Sequence, residues 1–169
     1  WLSQRIGAGR GGFVELIEHF GSPENIYSAD ASELLQFRKN KWDKRIESLL
    51  DKNIDNAYNI EKYCTRNHIT LLKYGESGYP ELLKSLKNPP VMLYAKGKIK
   101  DLGQKVSIGV VGTRKLTEYG RQTAYKISYE LAATGAVVVS GLALGIDAVA
   151  ACGALDAGGK TIAVLGSGV

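Results

Sequence analysis

Three short glycine-bearing stretches hold the residue types best suited to chemistry in this sequence: Gly112-Thr113-Arg114, Ser140-Gly141-Leu142-Ala143 and Gly166-Ser167-Gly168. Glycine lets a backbone approach a ligand closely. A turn that leads into a helix also offers unpaired N–H groups and the positive end of the helix dipole, which favour an anion. Phosphate is the anion this combination predicts. Arg114 strengthens the expectation, because a guanidinium beside a helix start clamps phosphate oxygens through paired hydrogen bonds. The Ser140 hydroxyl suits a turn or a helix cap, and either role leaves it compatible with a phosphate contact.

Other chemistries fail on spacing. The first stretch runs G-T-R-K-L-T-E-Y-G, which is neither the GxGxxG of a dinucleotide site nor the GxxxxGK[ST] of a P-loop. Ser140 does not sit in a GxSxG elbow, and His19 and His68 lie far away in the chain, so a serine triad has no support. Asp147 has no visible acid or nucleophile partner; it is expected to accept hydrogen bonds from nearby loop amides and shape the glycine turn. Lys160 is expected at the opposite sheet edge. Cys64 and Cys152 are 88 positions apart without a CxxC pair, so neither zinc nor a disulfide framework is indicated, and both read as reduced thiols. No catalytic residue, metal or cofactor is expected.

The elements around these stretches explain why they would meet. "VSIGVVG", "AVVVSG" and "KTIAVLGSG" are apolar runs ending in glycine, separated by the helical stretches "TEYGRQTAYKISYELAATG" and "ALGIDAVAACGALDAGG". In the first helix Gly120, Ala124, Ile127 and Leu131 are expected on one face, with Gly135 as the stop. The order is βαβαβ. Uninterrupted Val/Ile strands alternating with helices predict a parallel sheet covered on both faces. Right-handed crossovers then bring all three strand ends to one edge of an α/β, Rossmann-like sheet.

Upstream the texture differs. In "GGFVELIEHFGSPENIY" Phe13, Leu16, Ile17 and Phe20 recur at helical spacing, Gly21 stops the helix and Ser22-Pro23 starts the next. Further helices are expected at about 30 to 36, 42 to 50 and 54 to 67, the last with Ile54, Tyr58, Glu61 and Cys64 setting its rhythm. Residues 1–67 thus read as a small all-helical domain. Residues 68–104, with short strands in "ITLLKYG" and "PVMLYAKG", read as a connecting segment, and 105–169 as the sheet domain.

The chain has 169 residues, 44% hydrophobic and 23% charged, enough for one ordinary core or two small ones. No run approaches the roughly 18 apolar residues of a membrane span, and nothing resembles a signal or lipid anchor. A cytoplasmic protein is expected. Its net charge of +5 lies mostly in residues 1 to 105, where 17 Lys/Arg face 13 Asp/Glu. The excess fits an anionic partner without requiring one. Two weaker signals lie there: "IGAGRGGFVELI" has the G-x-G of a helix-hairpin-helix, and "RKNKWDKR" sets five basic residues around Trp42.

Together "VGTRKLTEYG", "SGLALGID", "GALDAGGKTIAVLGSG" and the upstream "YPELLKSLKNPPVMLYAKG" resemble the DNA-processing protein A family (DprA, also called Smf). The resemblance covers nearly the whole chain, in order. It implies a SAM-like helical domain followed by an extended Rossmann-like domain. It also implies a non-enzymatic single-stranded DNA binder of natural transformation that homodimerises, shields incoming DNA and helps load the RecA recombinase. The implied DNA-phosphate pocket falls on Gly112, Thr113 and Arg114, with Ser140, Gly141, Leu142 and Ala143; Gly166 and Ser167 are the third strand end. Leu144 stands where the family often has arginine, and Ala151-Cys152 where His-Arg is usual, which removes positive charge near the pocket. A half-sheet of three strands would expose an apolar edge, so the sequence is expected to be a fragment with further strands and the dimer and RecA surfaces beyond Val169. The alternative is a nucleotide-processing enzyme of the phosphoribohydrolase type, whose P-G-G-x-G-T-x-x-E signature is absent from these residues.

Overall fold

A computed structural model describes residues 1–7, 12–38, 44–98 and 105–168. The helix-hairpin-helix turn around 8–11 and Trp42 of the basic run lie outside the described residues. The chain divides into two compact units, Trp1–Lys98 and Ile99–Val169.

Among the described residues of the first unit, six helices precede a β-hairpin. They are α1 (Leu2–Ile6), α2 (Phe13–Phe20), α3 (Pro23–Ser28), α4 (Ala31–Gln36), α5 (Lys44–Ser48) and α6 (Asp55–Arg66). The helical spacing of α2 buries Phe13 and Leu16 in a core shared with Leu2, Ile6, Ile26, Leu34, Ile46 and Leu49. Gly21 ends α2 at φ 82° with its N–H on the Ile17 carbonyl. Ser22 then opens α3, its hydroxyl accepting the Asn25 N–H, with Pro23 as the first helical residue. Ser22→Ala is therefore expected to lower stability by about 1 kcal/mol in urea denaturation; an unchanged midpoint would contradict the cap.

On α6 the expected rhythm has the wrong phase. Cys64 is buried, but Ile54 and Tyr58 are exposed, and the half-buried stripe runs through Ala57, Ile60 and Asn67. Ile54 sits outside the helix as its N-cap, and the Lys62 ammonium lies 4.4 Å from the centre of the Tyr58 ring, an amphipathic pairing that suits a wet surface.

Strands β1 (Ile69–Lys73) and β2 (Met92–Lys96) pair antiparallel, with Leu71 opposite Tyr94, and flank the short helix α7 (Glu81–Lys84). Tyr74 and Val91 at the hairpin base pack on the helical core, Tyr74 edge-on to Phe13 at 5.2 Å.

In the second unit β3 (Ser107–Gly109), β4 (Val137–Ser140) and β5 (Lys160–Ala163) form a parallel sheet in the order β3-β4-β5, joined by α8 (Glu118–Ala133) and α9 (Ile146–Asp156). This is the Rossmann-like βαβαβ order. The helices do not cover both faces, however. Ala132 of α8 and Ala150 and Ala154 of α9 all pack on Val138, so both helices share one face of the sheet. Two right-handed crossovers stepping in the same direction across a sheet produce that result. Val137, on the opposite face, is also fully buried.

The buried stripe of α8 is Ala124, Ser128 and Ala132, while Ile127 is exposed. Small side chains win because α9 comes close: a β-carbon on Gly153 would lie 2.5 Å from the Tyr125 carbonyl oxygen. Gly135, at φ 91°, closes α8 as expected: its N–H reaches the Ala132 carbonyl and the next N–H reaches Leu131.

Candidate nucleic-acid interface

Parallel register sets Gly109 beside Val139, and Val139 beside Ile162, so the three following loops leave the sheet at the same edge. The first two are locked together. Asp147, in the first turn of α9 and only 6% exposed, accepts the Gly112 N–H at 3.1 Å through one carboxylate oxygen and the Gly141 N–H at 2.9 Å through the other. It takes the loop-shaping role expected of it and bridges two strand ends 29 residues apart in sequence. Gly145 adds a second lock. Its backbone, at φ 98°, presses against the first loop so closely that a β-carbon would lie 2.2 Å from the Thr113 carbonyl oxygen. The same carbonyl accepts the Ile146 N–H at 3.2 Å. Gly112 in turn leaves room for Ile146, whose side chain a β-carbon there would meet at 2.7 Å.

This wiring sorts the candidate residues. The amides of Gly112 and Gly141 point at Asp147 and are already engaged. Ser140 is buried, its hydroxyl donating to the Asp147 carbonyl at 3.4 Å and accepting the Leu142 N–H at 3.2 Å, so it holds a turn and does not cap α9, whose N-cap is Gly145. Thr113 Oγ1 accepts the Lys115 N–H at 3.1 Å and also donates to the Lys115 carbonyl. In contrast, the N–H groups of Thr113 and Arg114 in one loop, and of Ala143, Leu144 and Gly145 in the other, meet no acceptor among the described residues. The two loops that carry these five unpaired donors touch at the Gly145–Arg114 contact.

The first loop does not run straight into a helix as the sequence implied. Residues 114–117 intervene, and α8 starts at Glu118 with Thr117 Oγ1 already capping the Gly120 N–H. Only the second loop ends on a helix with an uncapped start, at Gly145. The third loop stands apart: Val164 continues the ladder by donating to the Ser140 carbonyl at 2.8 Å, but Gly166 and Gly168 are exposed with open space where a β-carbon would be. Ser167 between them is exposed too.

The charges at this edge favour an anion. Arg114 and Lys115 are exposed and make no ion pair among the described residues. Glu118, the nearest acid on α8, is held by hydrogen bonds from Arg121 and Gln122, which keep its carboxyl below the usual range. Asp147 has both oxygens occupied. Two features here escaped sequence reasoning. Leu142 adopts a left-handed backbone, φ 51°, rare for leucine, and the Gly112–Ile146 fit joins residues 34 apart. The Gly112–Ile146 fit leaves no local signal, because it forms where the start of α9 meets the first loop.

Comparison with known proteins agrees with this architecture. Protein Smf of Synechocystis is 35% identical over the whole chain, which spans 44% of that protein. The DNA processing protein DprA of Bacillus subtilis is 38% identical over 119 residues, covering 64% of the chain and 40% of the relative. The chain therefore spans less than half the length of these relatives. The X-ray structure of DNA processing protein A from Streptococcus pneumoniae superimposes on 99% of the chain and 56% of its own length, with a TM-score of 0.76 at 26% identity. Residues 70–169 match the family described as DNA recombination-mediator protein A, and with these relatives the match makes the chain a member of that family, the DprA/Smf proteins.

Proposed function

We propose that this chain carries the phosphate-holding edge of a non-catalytic single-stranded DNA-binding protein of natural transformation, which protects incoming strands and helps load the RecA recombinase. The observation that supports it most is the pair of locked loops. Together they present N–H donors without acceptors among the described residues, those of Thr113, Arg114, Ala143, Leu144 and Gly145 among them, beside Arg114 and Lys115 without acidic partners there. A phosphodiester oxygen supplies the acceptor those donors lack, and a rigid turn places them without further ordering cost. Gly112, Ser140, Gly141 and Leu142 serve this site by building the turns; Thr113, Arg114 and Ala143 offer the contacts, with Gly166 and Ser167 as an outer, less constrained rim.

In this reading the helical residues 1–67 form the SAM-like domain, 68–104 the connection and 105–169 the DNA-binding half-domain, with homodimerisation and the RecA contact as properties of the whole protein. The relatives' names carry DNA processing, and the family's carries recombination mediation. A cytoplasmic location goes with that role; no described helix is long and apolar enough to cross a membrane.

Arg114→Ala tests the site. It is expected to weaken binding of a labelled oligothymidylate several-fold and to reduce the slope of log affinity against log salt by about 0.7, the share of one single-strand phosphate contact. Fluorescence anisotropy at two salt concentrations measures both. Equal affinity and slope in the variant would remove Arg114 from the interface.

A further inference from the structure

We draw no further inference here: the strongest candidate, the exposed patch on α8 and α9 where Tyr129 stacks on Tyr125 and the Tyr125 hydroxyl donates to Asp156 next to Leu155, carries nothing, because nothing in the structure shows what covers it.

Discussion

Gly145→Ala is expected to lower the stability of the second unit by at least about 3 kcal/mol. Two independent causes act in the same direction. Gly145 has φ 98° and ψ −134°, a backbone region that L side chains scarcely enter, and forcing alanine into it costs about 1–3 kcal/mol. The new methyl group would also lie 2.2 Å from the Thr113 carbonyl oxygen and 2.7 Å from the Arg114 α-carbon, backbone atoms that cannot rotate away as a side chain would. Relief requires the two loops to part. Parting them breaks the Ile146 N–H contact with Thr113 and strains the Asp147 bridge. Since a domain's whole stability is about 5–15 kcal/mol, a loss of this size is large. Gly166→Ala is the matched control: its β-carbon would meet nothing within 4 Å, and it should change stability by no more than about 0.5 kcal/mol. Urea denaturation of the two variants reads the difference. A Gly145→Ala variant within about 1 kcal/mol of the parent would show that the loops are not held as described.

The contrast between these two glycines marks what could be read from the sequence. Both follow apolar runs or sit in turns, and a pattern-based reading treats them alike. The order of strands and helices was legible because Val137–Val139 and the flanking Val/Ile runs are local, and so were the start at Ser22 and the stops at Gly21 and Gly135. Helix faces were less legible. On α8 the sequence favours the large Ile127 as a core residue, yet Ala124, Ser128 and Ala132 are buried, because the space beside α9 admits only small side chains. The distribution of hydrogen bonds in the candidate site was the least legible part. Whether a loop amide faces a ligand or a neighbouring carboxylate is settled between Gly112 and Asp147, 35 residues apart, and no short motif encodes that choice.

Asp147 carries that choice, and Asp147→Ala is expected to cost about 2–5 kcal/mol, because its carboxylate is nearly inaccessible and each oxygen holds one loop amide. Removing it leaves the Gly112 and Gly141 N–H groups, both partly buried, without partners, at about 1–3 kcal/mol each. Asp147→Asn should be little better: the amide oxygen can accept one loop N–H, but the amide NH₂ would then confront the other donor. The effect should be local as well as global. Exchange of the Gly112 and Gly141 amide hydrogens should accelerate in both variants, and in Asp147→Asn one of the two should remain the better protected. Loss of the carboxylate also removes a negative charge from the edge proposed to hold phosphate, which by itself would favour an anion. The structural effect is the larger, because the unpaired donors are useful only while the turns that aim them are fixed, and Asp147 fixes both. Hence DNA affinity should fall in Asp147→Ala, measured where the variant remains folded, although the charge change points the other way. A rise in affinity would mean that Asp147 acts on the ligand mainly through its charge, and that the loops keep their form without it.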